Sequence, residues 1–235
     1  ANLPPLGRCT ISVDTFLHSF FNMEVLVEYF PAIVAGFWTT IGLGALVIAA
    51  GLSFGMVLAF LRAHRVKPIS ALVVIFVDIF RAIPPLVLMV LFYFALPMIG
   101  LEMSGFVSAW LCLSLVLAAF AEEIYWAGIT SVPKGQWEAA RSTGLSHVTT
   151  LVFVIIPQAV RMTIPPLTNR TITITKNTAL ASVVAVEEML NVAQTAQAYS
   201  ANTSPLTLAA LGYLLIFFPL TLFTRWVERR YAWKR

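Results

Sequence analysis

This sequence is poor in charge. Asp, Glu, Lys and Arg make up only 11% of its 235 residues, against 59% hydrophobic. A soluble domain carries about 25% charged residues, so an integral membrane protein is expected instead. Cysteine is nearly absent. Cys9 and Cys112 give no disulfide framework and no metal-ligand spacing, and Cys112, inside an apolar run, reads as a small core residue. His18 and His147 are isolated, so no metal site is expected. There is no Gly-x-x-x-x-Gly-Lys-Ser/Thr to cradle a phosphate, and no credible Ser/His/Asp set, so no enzyme is expected. The first residues lack the basic, apolar and small-residue order of a signal peptide, and none is expected. The formal net charge of +4 raises a nucleic-acid partner. The basic residues flank apolar runs instead, where they set membrane orientation, so none is expected.

What the chain does have is apolar spans. Residues 1–30 are mixed, with Phe16, Phe20 and Phe21 spaced along one helical face, and read as an external interfacial segment. Spans follow at Ile33–Leu61, about Ile69–Ile99, Phe106–Ile129, Val148–Leu167 and Leu206–Phe223. Each has the ~20 residues a bilayer crossing needs. Gly36, Gly42, Gly44, Gly51 and Gly55 leave room in the first span for close helix contacts. The second span is interrupted. Asp78 and Arg81 are spaced to pair on one helical face, and Pro84-Pro85 then kinks or breaks the helix, suiting a moving gate at Arg81 and Pro84. That pair reads as a cytoplasmic pre-helix, with the true span starting near Ile83, because charge at mid-membrane is costly. For the same reason Glu122 and Glu123 read as facing the cytoplasmic surface or another subunit. The basic residues cluster at 62–67, 133–147 and the C-terminal tail, so this side is cytoplasmic and the N-terminus external.

Two polar stretches stand out. Residues 133–147 carry Glu138, Ala139 and Ala140, with Gly144 six residues after the Glu. A small, shape-defined tip between two spans suits docking, and Gly144 suits an angled turn. Residues 168–178 follow Pro165-Pro166 and are rich in hydroxyls and amides, with Arg170 and Lys176. They read either as irregular backbone lining a polar cavity, with the double proline as a second helix break, or as an external loop after Leu167. In the cavity reading Asn169, Arg170, Lys176, Asn177 and Thr178 would receive an α-carboxylate. Residues 189–205 read as a partly helical external connection.

The spacing Glu138-Ala139-Ala140, then Gly144, then Val154-Ile155-Ile156-Pro157 resembles the Glu-Ala-Ala loop of permease subunits of ATP-binding-cassette importers. Gly135-Gln136, Pro157-Gln158-Ala159, Pro165-Pro166-Leu167, Arg81 to Pro84, Glu123 to Ile129 and Lys176 to Leu180 are similar to its polar amino acid uptake branch, the histidine, glutamine and arginine type. Trp126 stands where that branch usually has Arg, so a Glu–Arg contact expected in relatives cannot form in the same way. The resemblance implies an all-α membrane protein with five transmembrane helices and the type I importer permease fold. It implies a permease domain over 31–228, with a cytoplasmic coupling loop at 133–150, and a basic cytoplasmic tail at 229–235. It implies residence in the bacterial inner membrane, a second permease subunit (a copy or a sister), two cytoplasmic ATPases and an external binding protein. ATP and Mg would then sit on the ATPases, with no cofactor in this chain. Gly135, Gln136, Glu138, Ala139, Ala140 and Gly144 would couple to the ATPase, with Glu138 positioning the loop and the alanines allowing close packing. The competing class is a gradient-driven transporter or channel without an ATPase.

Overall fold

In the computed structural model, which describes residues 13–64 and 66–231, the chain is helical throughout, with no strand among the described residues. The helices are α1 (Val13–Phe20), α2 (Met23–Ala63), α3 (Lys67–Ala82), α4 (Pro85–Phe94), α5 (Gly105–Ser131), α6 (Lys134–Ser142), α7 (His147–Thr150), α8 (Ile156–Lys176), α9 (Met189–Ser200) and α10 (Ser204–Tyr231). Four helical stretches are long and apolar enough to cross a bilayer: 13–63, 105–131, 147–184 and 204–231. The fifth candidate is the α3–α4 pair, bent by 99°.

α5 is the hub. α2, α3, α4 and α8 all pack on it. In hydrocarbon there is no water to expel between helices, so close backbone approach has to hold them. At Gly51 a Cβ would lie 2.7 Å from Leu117 Cβ, and at Gly55 it would lie 2.7 Å from Ala121 Cβ. α2 therefore meets α5 through its glycines, Gly51 seating Leu117 and Gly55 seating Ala121. Leu43, Val47, Leu113 and Leu117 fill the space above that crossing and are fully buried. Gly42 faces open space and has no packing role within the chain.

Several boundaries differ from the sequence reading. α2 begins at Met23, capped by the Asn22 side chain, and runs straight through Pro31. The N-terminal segment therefore contributes two turns to the first span. α1 does bring Phe16 within 5.0 Å of Phe20 and 6.2 Å of Phe21, as the spacing predicts. Its end is pinned to the start of α10: Asn22 N–H donates to Ser204 Oγ at 2.8 Å, and the Thr203 hydroxyl donates to Ser19 O. Pro4, Pro5, Arg8 and Cys9, and the last four residues of the basic tail, lie outside the described residues.

The helix does break at Ile83-Pro84, where both residues are extended (ψ 130° and 134°). The segment beyond Ile83 is nevertheless too short to be a span by itself: α4 has ten residues, about 15 Å and half a bilayer. Arg81 does not pair with Asp78. It reaches across to Glu123 of α5 at 2.8 Å.

Pro165-Pro166 does not break its helix. Both lie inside α8, which continues to Lys176 and then tightens into a 3-10 segment, Asn177–Val184. The 168–178 stretch is thus neither irregular backbone nor an external loop. Three of its hydroxyls are satisfied within the helix: Thr168, Thr173 and Thr175 donate to the carbonyls four residues back at 2.7, 3.0 and 2.8 Å. This back-bonding lets those three hydroxyls sit in a helix without an outside partner. Irregularity appears earlier, as a π turn over Leu151–Ile155. Pro157 has no N–H to return to Phe153 O, and the wider turn absorbs its ring. α9 fills the 189–205 connection as expected.

Candidate functional site

The chain ends α5 with Val132 and Pro133, and Pro133 starts α6 without a side-chain cap. Gly144 closes α6 in the left-handed region at φ 87°, its N–H on Arg141 O at 3.1 Å. Added to Gly144, a Cβ would meet nothing within 4 Å. The glycine is required by backbone conformation and not by crowding. Ser146 then caps α7, accepting from Thr149 N–H at 3.1 Å. Gly135, Gln136, Glu138 and Ala139 form the exposed face of α6, while Ala140 is buried. The two alanines therefore differ. Ala140 seats the helix on its own subunit, and only Ala139 faces outward.

His147, isolated in sequence, is what holds this loop. Its ring stacks on Trp137 of α6 at 5.1 Å, and its Nε2 lies 3.3 Å from Ala63 O at the end of α2. A cavity of about 480 Å³ opens beside the pair, with Ala63, Trp126, Lys134 and Glu138 on its wall. Only a spatial contact between residues ten apart in a loop could reveal this role. Trp-x9-His is not a pattern that periodicity detects.

Directly above lies an ion pair. Glu122 has no exposed side-chain surface, and both its oxygens accept from Arg62 Nη1 of α2, at 3.1 and 3.2 Å. Arg62 also lies over the Trp126 ring, 4.6 Å from its centre. The expected surface position of Glu122 is thus incorrect. A carboxylate is kept inside because a cation from another helix is kept with it. Glu123, the next residue, points 100° away and is half-exposed.

Glu123 leads to the second site. Its partner Arg81 lies 5.3 Å from the Phe120 ring centre, and Arg170 lies 3.4 Å from the same centre. Arg81, Pro84, Phe120, Arg170, Thr173 and Asn177 line one cavity of about 320 Å³. Two guanidiniums and one carboxylate leave an excess positive charge against an apolar ring. Guanidinium forks match carboxylates, so the cavity suits an anionic group. Of the five sequence-predicted pathway residues, Arg170 and Asn177 come together here, joined by Arg81 and Pro84. The other three do not. Asn169 donates to Glu228 of α10 at 2.6 Å. Lys176 lies over Phe217, 5.7 Å from the ring centre. Thr178 is buried and donates to Thr175 O at 2.7 Å. Pro165 and Pro166 line a different cavity, at the ends of α5 and α10. Among the described residues no group of His, Cys, Asp and Glu is arranged to hold a metal ion.

Residues 51–233 match the family described as the binding-protein-dependent transport system inner membrane component. The probable glutamine ABC transporter permease protein GlnM of Bacillus subtilis (strain 168) is 33% identical over 215 residues, covering 89% of this chain and 97% of that protein. The L-cystine transport system permease protein TcyB of the same organism is 36% identical over 205 residues, covering 86% and 88%. A crystal structure of an amino acid ABC transporter with histidines superposes with a TM-score of 0.79 at 30% identity, over 87% of this chain and 96% of that one. The inward-facing methionine transporter MetNI gives 0.63 at 21% identity, a likeness of fold. These matches set aside the gradient-driven alternative and agree with the type I importer fold. With them the exposed loop and the α2–α5 hub have an owner: the chain is a multi-pass permease subunit and belongs to the inner-membrane component family of binding-protein-dependent transport systems.

Proposed function

We propose that this chain forms, with a second permease subunit, the route for ATP-driven uptake of a polar amino acid or a derivative delivered by an external binding protein. The observation that carries the reading is the exposed face of α6, bearing Gly135, Gln136, Glu138 and Ala139, on a helix clamped from behind by Trp137 and His147. Two ATPase subunits, holding ATP and Mg, each receive one such face. Their closure moves α6 as a rigid body, and α5 follows because two residues join the helices. The C-terminus and coupling loop are cytoplasmic and the N-terminus external, a placement that the distribution of basic residues supports.

The substrate's α-carboxylate is received in the cavity of Arg81, Arg170 and Asn177. Glu123 holds Arg81 when that cavity is empty, and Pro84 supplies the break about which α4 moves. The amino acid names of the relatives and the excess cation of the cavity support this reading. The test is ATPase activity of the chain reconstituted with its ATPase and binding protein, across a panel of amino acids, in native and Gly144→Asp forms. Stimulation by one substrate class, lost in the variant, is expected. Stimulation indifferent to the loop change, or no association with the ATPase, would sink the coupling assignment.

A further inference from the structure

The largest of the cavities described is distinct from both sites and borders the first at Val132, Pro133 and Gln158. It measures about 790 Å³ and is walled by Gln158, Arg161, Met162, Pro165, Arg230 and Tyr231. It sits where α5 and α10 end and α8 begins, level with Ser131, whose hydroxyl contacts Met162 Sδ at 3.6 Å. Arg161 and Arg230 are exposed, and neither is in an ion pair among the described residues. No carboxylate lines the cavity. Two free guanidiniums are thus aimed at one space with nothing anionic in it.

The surroundings choose between sources of an anion. Met162, Pro165 and Pro166 form one wall along α8, within the candidate span 147–184. On α10, Phe223 and Trp226 stack at 5.9 Å and are 53% and 58% exposed. With Arg230 they fall at i, i+3 and i+7, one face of the helix. Exposed Trp, Tyr and Arg at a helix end is the composition of the headgroup level. A phosphate ion needs neither the volume nor the apolar wall.

We propose that this cavity is a binding site for the headgroup of an anionic phospholipid of the cytoplasmic leaflet, its phosphate held between Arg161 and Arg230 and its first acyl carbons along Met162 and Pro165. Basic pockets between spans on the cytoplasmic side suit such headgroups. The site adjoins the coupling loop: Gln158 Nε2 donates to Gln136 Oε1 of α6 at 3.3 Å, so the bound lipid braces the wall against which the coupling helix moves. The inference rests on the cytoplasmic placement proposed above. A lipid count does not depend on transport, so its failure is separable from failure of the importer reading.

The test uses the whole importer in vesicles of phosphatidylcholine and phosphatidylglycerol in equal parts, then extracted into mild detergent. Phosphatidylglycerol retained by the complex is counted by mass spectrometry. Retention is expected, with affinity falling about thirtyfold in Arg161→Gln/Arg230→Gln. The Arg225→Gln/Arg229→Gln variant, on the same helix outside the cavity, is expected to retain it. Titration of the native complex with short-chain phosphatidylglycerol, short-chain phosphatidylcholine and inorganic phosphate reads the site without any substitution, and only the first is expected to bind tightly. Equal retention by both double variants would overturn the proposal. So would equal binding of the two lipids, displacement by inorganic phosphate, or loss of the ATPase with lipid unchanged in the Arg161→Gln/Arg230→Gln complex.

Discussion

Replacing Arg62 by Met should destabilise the chain far more than replacing Arg62 and Glu122 together. The Glu122 side chain has no exposed surface, and its two oxygens share one guanidinium at 3.1 and 3.2 Å. Removing only the cation leaves a buried, unpaired carboxylate, at a cost of about 3–5 kcal/mol. For a chain of this length that corresponds to a fall in melting temperature of roughly 6–20 °C. In Arg62→Met/Glu122→Leu both charges are gone, the Met covers Trp126, and the net change should stay within about 1 kcal/mol of native. Glu122→Gln falls between, since Arg62 is 23% exposed and can turn to water. Thermal unfolding of the three variants in one detergent, followed by tryptophan fluorescence, reads the series. If Arg62→Met costs less than about 1 kcal/mol, or no more than the double variant, the pair is not a buried one.

Gly144→Ala should strain the turn by about 1–2 kcal/mol, because φ is 87° with open space around it; substrate-stimulated ATPase should fall, with a melting temperature lower by roughly 2–8 °C, and Gly144→Asn should lose less of both. Arg170→Gln with Asn177→Ala should raise the transport KM at least tenfold, whereas Lys176→Ala should leave it unchanged; uptake into vesicles checks both. Glu188, which caps α9, should carry a pH dependence of stability. Burial pushes its carboxyl above the ordinary 4.5, outweighing the hydrogen bond from Tyr213. A raised carboxyl favours the folded state most at low pH, and that contribution is lost as pH rises through the folded value. Glu188→Gln, which keeps one acceptor oxygen for Asn191 N–H and offers an amide N–H to the Tyr213 oxygen, should therefore gain on the native protein as pH rises above about 4.5. Melting temperatures across that range test it, and a gap independent of pH would rule the mechanism out.

The spans were legible because length and hydropathy are additive properties of a segment. The break at Pro84 was legible because proline acts locally. Pro165-Pro166 obeys the same local rule and yet stays helical, since neighbouring helices hold α8 where an isolated peptide would kink. The threonine stretch misled for a related reason. Hydroxyls suggest a polar cavity until their hydrogen bonds are placed, and Thr168, Thr173 and Thr175 spend theirs on their own helix. The turn after α6 was readable from spacing, down to Gly144 in the left-handed region. Its support by His147, and the burial of Glu122, were not, because each depends on a partner at least ten residues away.

Glu122 and Glu123 are consecutive, so their side chains leave α5 about 100° apart. One is tied to α2 through Arg62 and the other to α3 through Arg81. Two tethers at that angle key the helix like a shaft, so it cannot spin about its axis without breaking one of them. Motion delivered at the α6 end, the proposed coupling end, must then emerge as tilt. α5 has 27 residues, about 40 Å of rod, and a tilt of about 5° sweeps its far end by roughly 3.5 Å. That is the width of a carbon atom's contact, enough to open or shut a gap between side chains.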